Sequence, residues 1–256
     1  MSTPALLLTL AAAPWQPLAD GVEYRRFEEP TALHVVRIDP AKAELAVLTA
    51  SEAGGGKKTA RAWVEGQKLL VAINAGMFAQ DHSSNVGHLR VGQHVNQARW
   101  DPRYKSVLLI DPKAPKLPRA QLVDRPHDPS LTDRYGTVLQ NLRLIRSTNG
   151  KTGKNVWSKQ KKRWSEAAVA YDREGRILFV FSRAPYAMWR FNARLLALDL
   201  GVIRAFHAEG GPEASLSIRS PKLKLHLAGS YETDFNENDD NAEQWPIPNI
   251  LAVRAP

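Results

Sequence analysis

Short apolar runs, β-branched or alternating with polar residues, recur along the chain and are closed by Pro, Gly or Asp. This punctuation limits the possible folds more than any other feature. The runs are Glu23–Phe27, Leu33–Ile38, Glu44–Thr49, Leu69–Ile73, Ser106–Ile110, Ala167–Tyr171, Ile177–Ser182, Val202–Ala208 and Ile250–Val253. Runs this short, bounded by turn formers, predict strands. Asp172-Arg-Glu-Gly175, between two of them, predicts a hairpin turn. Two segments carry helical spacing instead. Lys57–Glu65 places Ala60, Trp63 and Val64 on one face and ends before Gly66, and Arg190–Leu200 places Phe191, Leu195 and Leu198 likewise, with Gly201 as a C-terminal cap. Many strands and few helices predict an α+β fold: a strand-rich single domain with mixed, twisted sheets and a few packed helices. The proline-rich stretch Pro112–Pro129 reads as an extended surface loop.

A chain of 256 residues suits one domain over 15–256 and needs no covalent staple to fold. It has no cysteine, which excludes a disulfide framework, a zinc finger, an iron–sulfur cluster and a thiol nucleophile. No apolar run approaches the ~20 residues of a transmembrane span. Ala5–Ala13 is apolar and ends in small residues but lacks a basic leader. It reads either as a frayed terminus or short helix, or as an export segment within 1–14, which would make the protein periplasmic or secreted.

The net charge of +9 favours acidic partners. Lys151–Arg163 holds six cations and no acid, and predicts a mobile, exposed loop. It matches nucleic-acid-binding loops in composition only, and the rest of the chain is mildly basic, so no nucleic-acid partner is expected.

Three constellations can carry chemistry. The Leu69–Ile73 strand runs into Asn74-Ala-Gly76-Met-Phe78, which reads as a turn or as a polar contact at a strand end. The Val202–Ala208 strand leads into Glu209-Gly210-Gly211-Pro212-Glu213-Ala-Ser215. This is either a Gly-Gly turn flanked by solvated acids, or a backbone open to a ligand beside a carboxylate that burial could turn into a general acid. In Glu232-Thr-Asp234-Phe-Asn236-Glu-Asn238-Asp239, residues 234, 236 and 238 imitate the first ligands of a calcium loop. Asp239 stands where Gly is needed, however, and Trp245 where the bidentate Glu belongs, so a solvated acidic loop competes with a calcium site of other geometry. The evenly spaced His82, His88 and His94 are interrupted by Gly87 and Gly92, and no other metal or cofactor is expected.

Taken in order, these segments resemble the phosphodiester glycosidase family. Asn74-Ala-Gly76-Met-Phe78 is similar to its Asn-Gly-Gly-Phe-Phe element, and Gln140-Asn141-Leu-Arg143-Leu-Ile-Arg146-Ser-Thr-Asn149-Gly150 to its middle element. Arg163–Asp172 is similar to its Arg-containing strand. Leu200-Gly201 followed by Glu209-Gly210-Gly211 is similar to its Leu-Gly and Asp-Gly-Gly-Gly-Ser-Ser elements. The resemblance covers roughly Leu69 to Leu216, and the tail Glu232–Asn249 is similar to that of a bacterial branch. Glu209 replaces an Asp, and Glu213 and Ala214 replace the Ser pair.

The resemblance implies a hydrolase cleaving the glycosidic bond of a sugar-1-phosphodiester, in carbohydrate or exopolysaccharide metabolism. Glu209 would be the acid or nucleophile, Glu232 or Asp234 the second carboxylate, and Asn74 an orienting contact. Arg143 or Arg163 would clamp the phosphate, with Gly76, Asn141, Gly210, Gly211 and Ser215 as further binding positions. The alternative is a non-catalytic binder of anionic glycans or envelope polymers.

Overall fold

The computed structural model describes residues 14–125 and 128–256. The Ala5–Ala13 reading and His127 fall outside these residues. In chain order the strands are β1 (Gln16–Ala19), β2 (Val22–Phe27), β3 (Leu33–Ile38), β4 (Leu45–Thr49), β5 (Leu69–Asn74), β6 (Leu89–Val91), β7 (His94–Gln97), β8 (Ser106–Pro112) and β9 (Ala120–Asp124). They continue with β10 (Tyr135–Arg146), β11 (Lys154–Asn155), β12 (Trp164–Asp172), β13 (Ile177–Tyr186), β14 (Val202–Gly210), β15 (Ser215–Arg219), β16 (Lys224–Ala228) and β17 (Asn249–Arg254). The helices are α1 (Ala60–Gly66), the short α2 (Ser130–Asp133) and α3 (Met188–Ala197).

The larger sheet runs β1-β2-β3-β13-β12-β14-β10-β6-β7, with β8, β9 and β11 joined at the β10 side. The smaller runs β16-β15-β5-β17-β4. Alternation along the strands sorts side chains into layers. Phe179, Phe181 and Phe206 of the larger sheet meet Val71, Ile73, Leu216 and Leu251 of the smaller one in the main core. On the other face of the larger sheet, Leu178, Val180 and Ala170 meet Phe191 and Leu195 of α3. On the other face of the smaller sheet, Ala72 and Ile250 meet Ala60, Trp63 and Val64 of α1. Strands covered on both faces, such as β5, therefore read as continuous apolar runs.

Several expectations need correction. The strand pairs between named strands are antiparallel in both sheets, so the sheets are not mixed. Within Pro112–Pro129, Ala120–Asp124 is a strand paired to β8, with Ala120 and Leu122 in the core. Helix α1 begins at Ala60 because Lys58 bridges to Ile247 through backbone bonds and Thr59 caps the amide of Ala62. Helix α3 begins at Met188, and its last bond, from Leu198 N–H to Arg194 O, ends it before Gly201. Gly201 instead supplies a positive φ of 65° on entry to β14. No helix among the described residues is long and apolar enough to cross a membrane.

Candidate active site

Strands β12 and β14 lie side by side in the larger sheet, and their register brings Glu166 opposite Gly210 and Ala167 opposite Glu209. The register shifts between Ala167 and Ala168, where Glu209 and His207 become successive partners across the ladder. Trp164 pairs with Glu232, which carries the segment after β16 across the end of the sheet. Four glutamates (166, 209, 213 and 232) and His207 thereby form one electrostatically coupled cluster.

The cluster is built around a buried ion pair. His207 Nδ1 lies 2.9 Å from both carboxylate oxygens of Glu166, and Trp164 Nε1 donates to Oε2 at 2.7 Å. Burial alone would lower the imidazole, but Glu166 raises it above the ordinary histidine value. A charge buried this deeply is retained only when paired. Burial in turn raises Glu166, against the pull of His207 and the Trp164 N–H, and the pair shares its proton with the positive side on His207, next to Glu209.

Glu209, the penultimate residue of β14, has a half-buried side chain, and the Gly210 N–H donates to its Oε1 at 3.1 Å. Burial pushes its carboxyl up to about 8. The His207 cation and the Gly210 N–H pull it down, and Glu213 and Glu232 push it up. Glu213 and Glu232 are also raised, chiefly by burial. At neutral pH, Glu209 is therefore a proton donor among groups that can carry negative charge.

The glycines serve close approach within the protein. A Cβ on Gly210 would meet the Trp164 ring at 2.7 Å. Gly211 has φ +61°, and a Cβ there would collide with the Glu232 carboxylate. Gly76 is held the same way by the side-chain oxygens of Asn141 and Asn85. These glycines admit protein side chains, where the sequence pointed to a ligand.

Asn74 does not face a substrate. It is 1% exposed. Its amide donates to Glu213 O at 3.0 Å and accepts from Ser215 N at 2.8 Å, and the Ser215 hydroxyl lies 3.3 Å away. Asn74 and Ser215 thus lock the Gly211–Ser215 turn that carries Glu213. Asn141 is equally buried and donates to Ala75 O at 2.7 Å, bracing the turn at Gly76. Asn74→Ala should leave the Ser215 N–H unpaired and lower stability by about 1–3 kcal/mol, with less than a hundredfold loss of turnover, because no proton chemistry is removed. Thermal melts and kcat on the same preparation check both.

The two arginines separate. Arg143 reaches Asp124 at 3.5 Å, a carboxylate that also accepts from Arg204 at 3.0 Å, so it is a structural partner and not an open phosphate clamp. Arg163 is exposed, with its guanidinium 5.4 Å from the Tyr231 ring centre. Asp234 is exposed and paired with Lys162 at 2.9 Å, which removes it as the second carboxylate. Among the described residues no three His, Cys, Asp or Glu side chains converge on a metal position. In the tail, Asn236 donates to Ser230 O and Asn238 accepts from Asp240 N, so these side chains brace the loop itself. The basic loop is exposed but anchored. Trp157 donates to Arg143 O at 2.8 Å, and Arg163 exchanges bonds with Thr233.

Sequence reasoning passed over Glu166 as a partner, along with the placement of His207. Part of the signal was available: His207 lies within the Val202–Ala208 run and Glu166 immediately before the Ala167–Tyr171 run, and a titratable group buried in a strand demands a partner. A cleft of about 680 Å³ lies elsewhere, between His34, Arg61, Arg183 and His226, and does not include Glu209.

The sequence matches the phosphodiester glycosidase family over residues 67–254. Among solved structures, the catalytic domain of zebrafish N-acetylglucosamine-1-phosphodiester alpha-N-acetylglucosaminidase, auto-inhibited by pro-peptide, aligns with 96% of this chain and 87% of its own at 15% identity, TM-score 0.65. A hypothetical protein from Synechocystis aligns with 94% of this chain and 64% of its own at 15% identity, TM-score 0.63. A putative exported protein from Burkholderia pseudomallei aligns with 91% and 74% at 12% identity, TM-score 0.51. At these identities the likenesses establish the fold. A search of curated proteins gave no match.

Proposed function

We propose that this chain, which belongs to the phosphodiester glycosidase family, hydrolyses the bond between an anomeric carbon and the oxygen of a phosphodiester. The observation that supports the reading is Glu209, a carboxyl held up to about 8 at the end of β14 beside further carboxylates. A neutral carboxyl approaches an anionic phosphodiester without charge repulsion and can hand its proton to the bridging oxygen as the C1–O bond breaks. Glu232, against Gly211, would activate the attacking water or stabilise positive charge on the sugar ring. Water adds at C1, its second proton passes to the carboxylate side, and the products are a free sugar and a phosphomonoester. Arg163 is the open cation available to the phosphate. Export, the reading of Ala5–Ala13 favoured here, would place the enzyme beside envelope carbohydrate.

The test is turnover of a sugar-1-phosphodiester against pH. Because the protonated form of Glu209 and the ionised form of Glu232 are the active ones, kcat/KM should fall about tenfold per unit above pH 8 and fall again in acid as Glu232 takes up a proton. A rate that climbs through pH 8 would mean that Glu209 acts ionised, and no release of sugar at any pH would remove the hydrolase reading.

A further inference from the structure

A second cavity, about 440 Å³, lies between Thr31, which precedes β3, the end of the basic loop, and the end of β13 with the first turn of α3. Its lining includes Lys161, Arg163 and Arg190, together with Tyr186 and Trp189, and no carboxylate. Among the described residues none of these three cations has an acidic partner within ion-pair distance, although neighbouring Lys162 does. Unpaired cations gathered in one concavity make a standing positive potential.

The walls are fixed. The Tyr186 hydroxyl meets Thr31 Oγ1 at 2.8 Å and accepts from Arg194 at 2.6 Å, and Arg194 also donates to Thr31 O at 2.6 Å. Trp189 donates to Gln160 O at 3.3 Å and collects two cations over its ring, Lys159 at 5.6 Å and Arg190 at 5.1 Å. The cavity volume falls within the range of small-molecule sites. Arg163 links it to the active site. It precedes Trp164, whose indole holds Glu166, and its guanidinium lies over Tyr231, the neighbour of Glu232.

We propose that this groove binds the next units of a phosphodiester-linked saccharide chain, so that the substrate is an anionic polymer and not an isolated sugar phosphodiester. The proposal takes only the chemical class of the bond from the hydrolase reading. Repeating phosphates supply negative charge at regular intervals, which a carboxylate-free groove of exposed, unpaired cations recognises. A neutral glycan would gain nothing from it.

Equilibrium binding of purified poly(glycerol phosphate) teichoic acid, read by calorimetry at low and high salt, tests this on the full chain. Neutral dextran and a single-stranded oligonucleotide serve as comparison ligands. Wild type should bind the polymer, with affinity falling as salt rises. The Lys161→Gln, Arg190→Gln double variant should lose at least about tenfold at low salt with an unchanged melting temperature. Glu209→Gln should bind as wild type does, which separates failure of the groove from failure of the hydrolase reading. Equal binding by the double variant would overturn the proposal, and so would an oligonucleotide bound as tightly as the polymer.

Discussion

Glu209→Gln is expected to lower turnover of a sugar-1-phosphodiester by about 10²–10⁴, or roughly 3–5 kcal/mol of barrier. The substitution keeps the size of the side chain and can still accept from the Gly210 N–H, but it has no proton to give. Substrate affinity and melting temperature should change little. Whatever turnover survives should lose its fall above pH 8, because the group that titrates there is gone. A variant retaining more than about a tenth of wild-type turnover would mean that another group carries the proton.

Glu166→Ala is expected to destabilise the fold by up to about 3–5 kcal/mol, because the buried His207 imidazole loses its partner and must either stay charged without one or give up its proton. It also leaves the Trp164 indole N–H without its acceptor. Denaturant unfolding measures the loss, and a variant within 1 kcal/mol of wild type would contradict the role of the pair. The sign with pH is set by His207. Its folded value is raised, so the stability it contributes is present below its unfolded value and is lost as pH rises through the folded one. The difference between wild type and variant should therefore shrink in alkaline solution. Glu166→Gln retains an acceptor for Trp164 and gives a folded protein to assay. Without the carboxylate, burial drives His207 neutral and Glu209 loses a nearby cation, so the alkaline limb of the rate profile should move to higher pH. A merely structural Glu166 would leave that limb in place.

Much of the fold was legible because central strands leave a strong mark. The apolar runs at β3, β5, β13 and β17 are covered on both faces, and only β3 has polar residues, His34 and Arg37, within its apolar run. The edge strand β4 was legible as an apolar run, but other edge and loop-embedded strands were not. The β16 sequence Lys-Leu-His-Leu-Ala is half polar, and β9 hides among prolines. The longest strand, β10, carries Gln140, Asn141 and Arg143, each of which finds its partner only in the folded chain. Glu209 stood out in the sequence because a carboxylate before two glycines at a strand end is locally distinctive, and the fold sets it beside His207 and two further glutamates. The Glu166–His207 pair joins residues 41 apart in sequence across neighbouring strands. Asn74 and Asp234 looked like ligands because local sequence shows a polar group but not whether that group is already bonded.

The central claim is that the broken bond is the one at the anomeric carbon, and hydrolysis in ¹⁸O-labelled water tests it most directly. Attack at C1 puts the label in the hydroxyl of the released sugar and leaves the phosphomonoester unlabelled, and mass spectrometry of both products should show that distribution. Label in the phosphate would mean that the P–O bond is cleaved, and the assignment of Glu209 as the acid of a glycosidase would be contradicted.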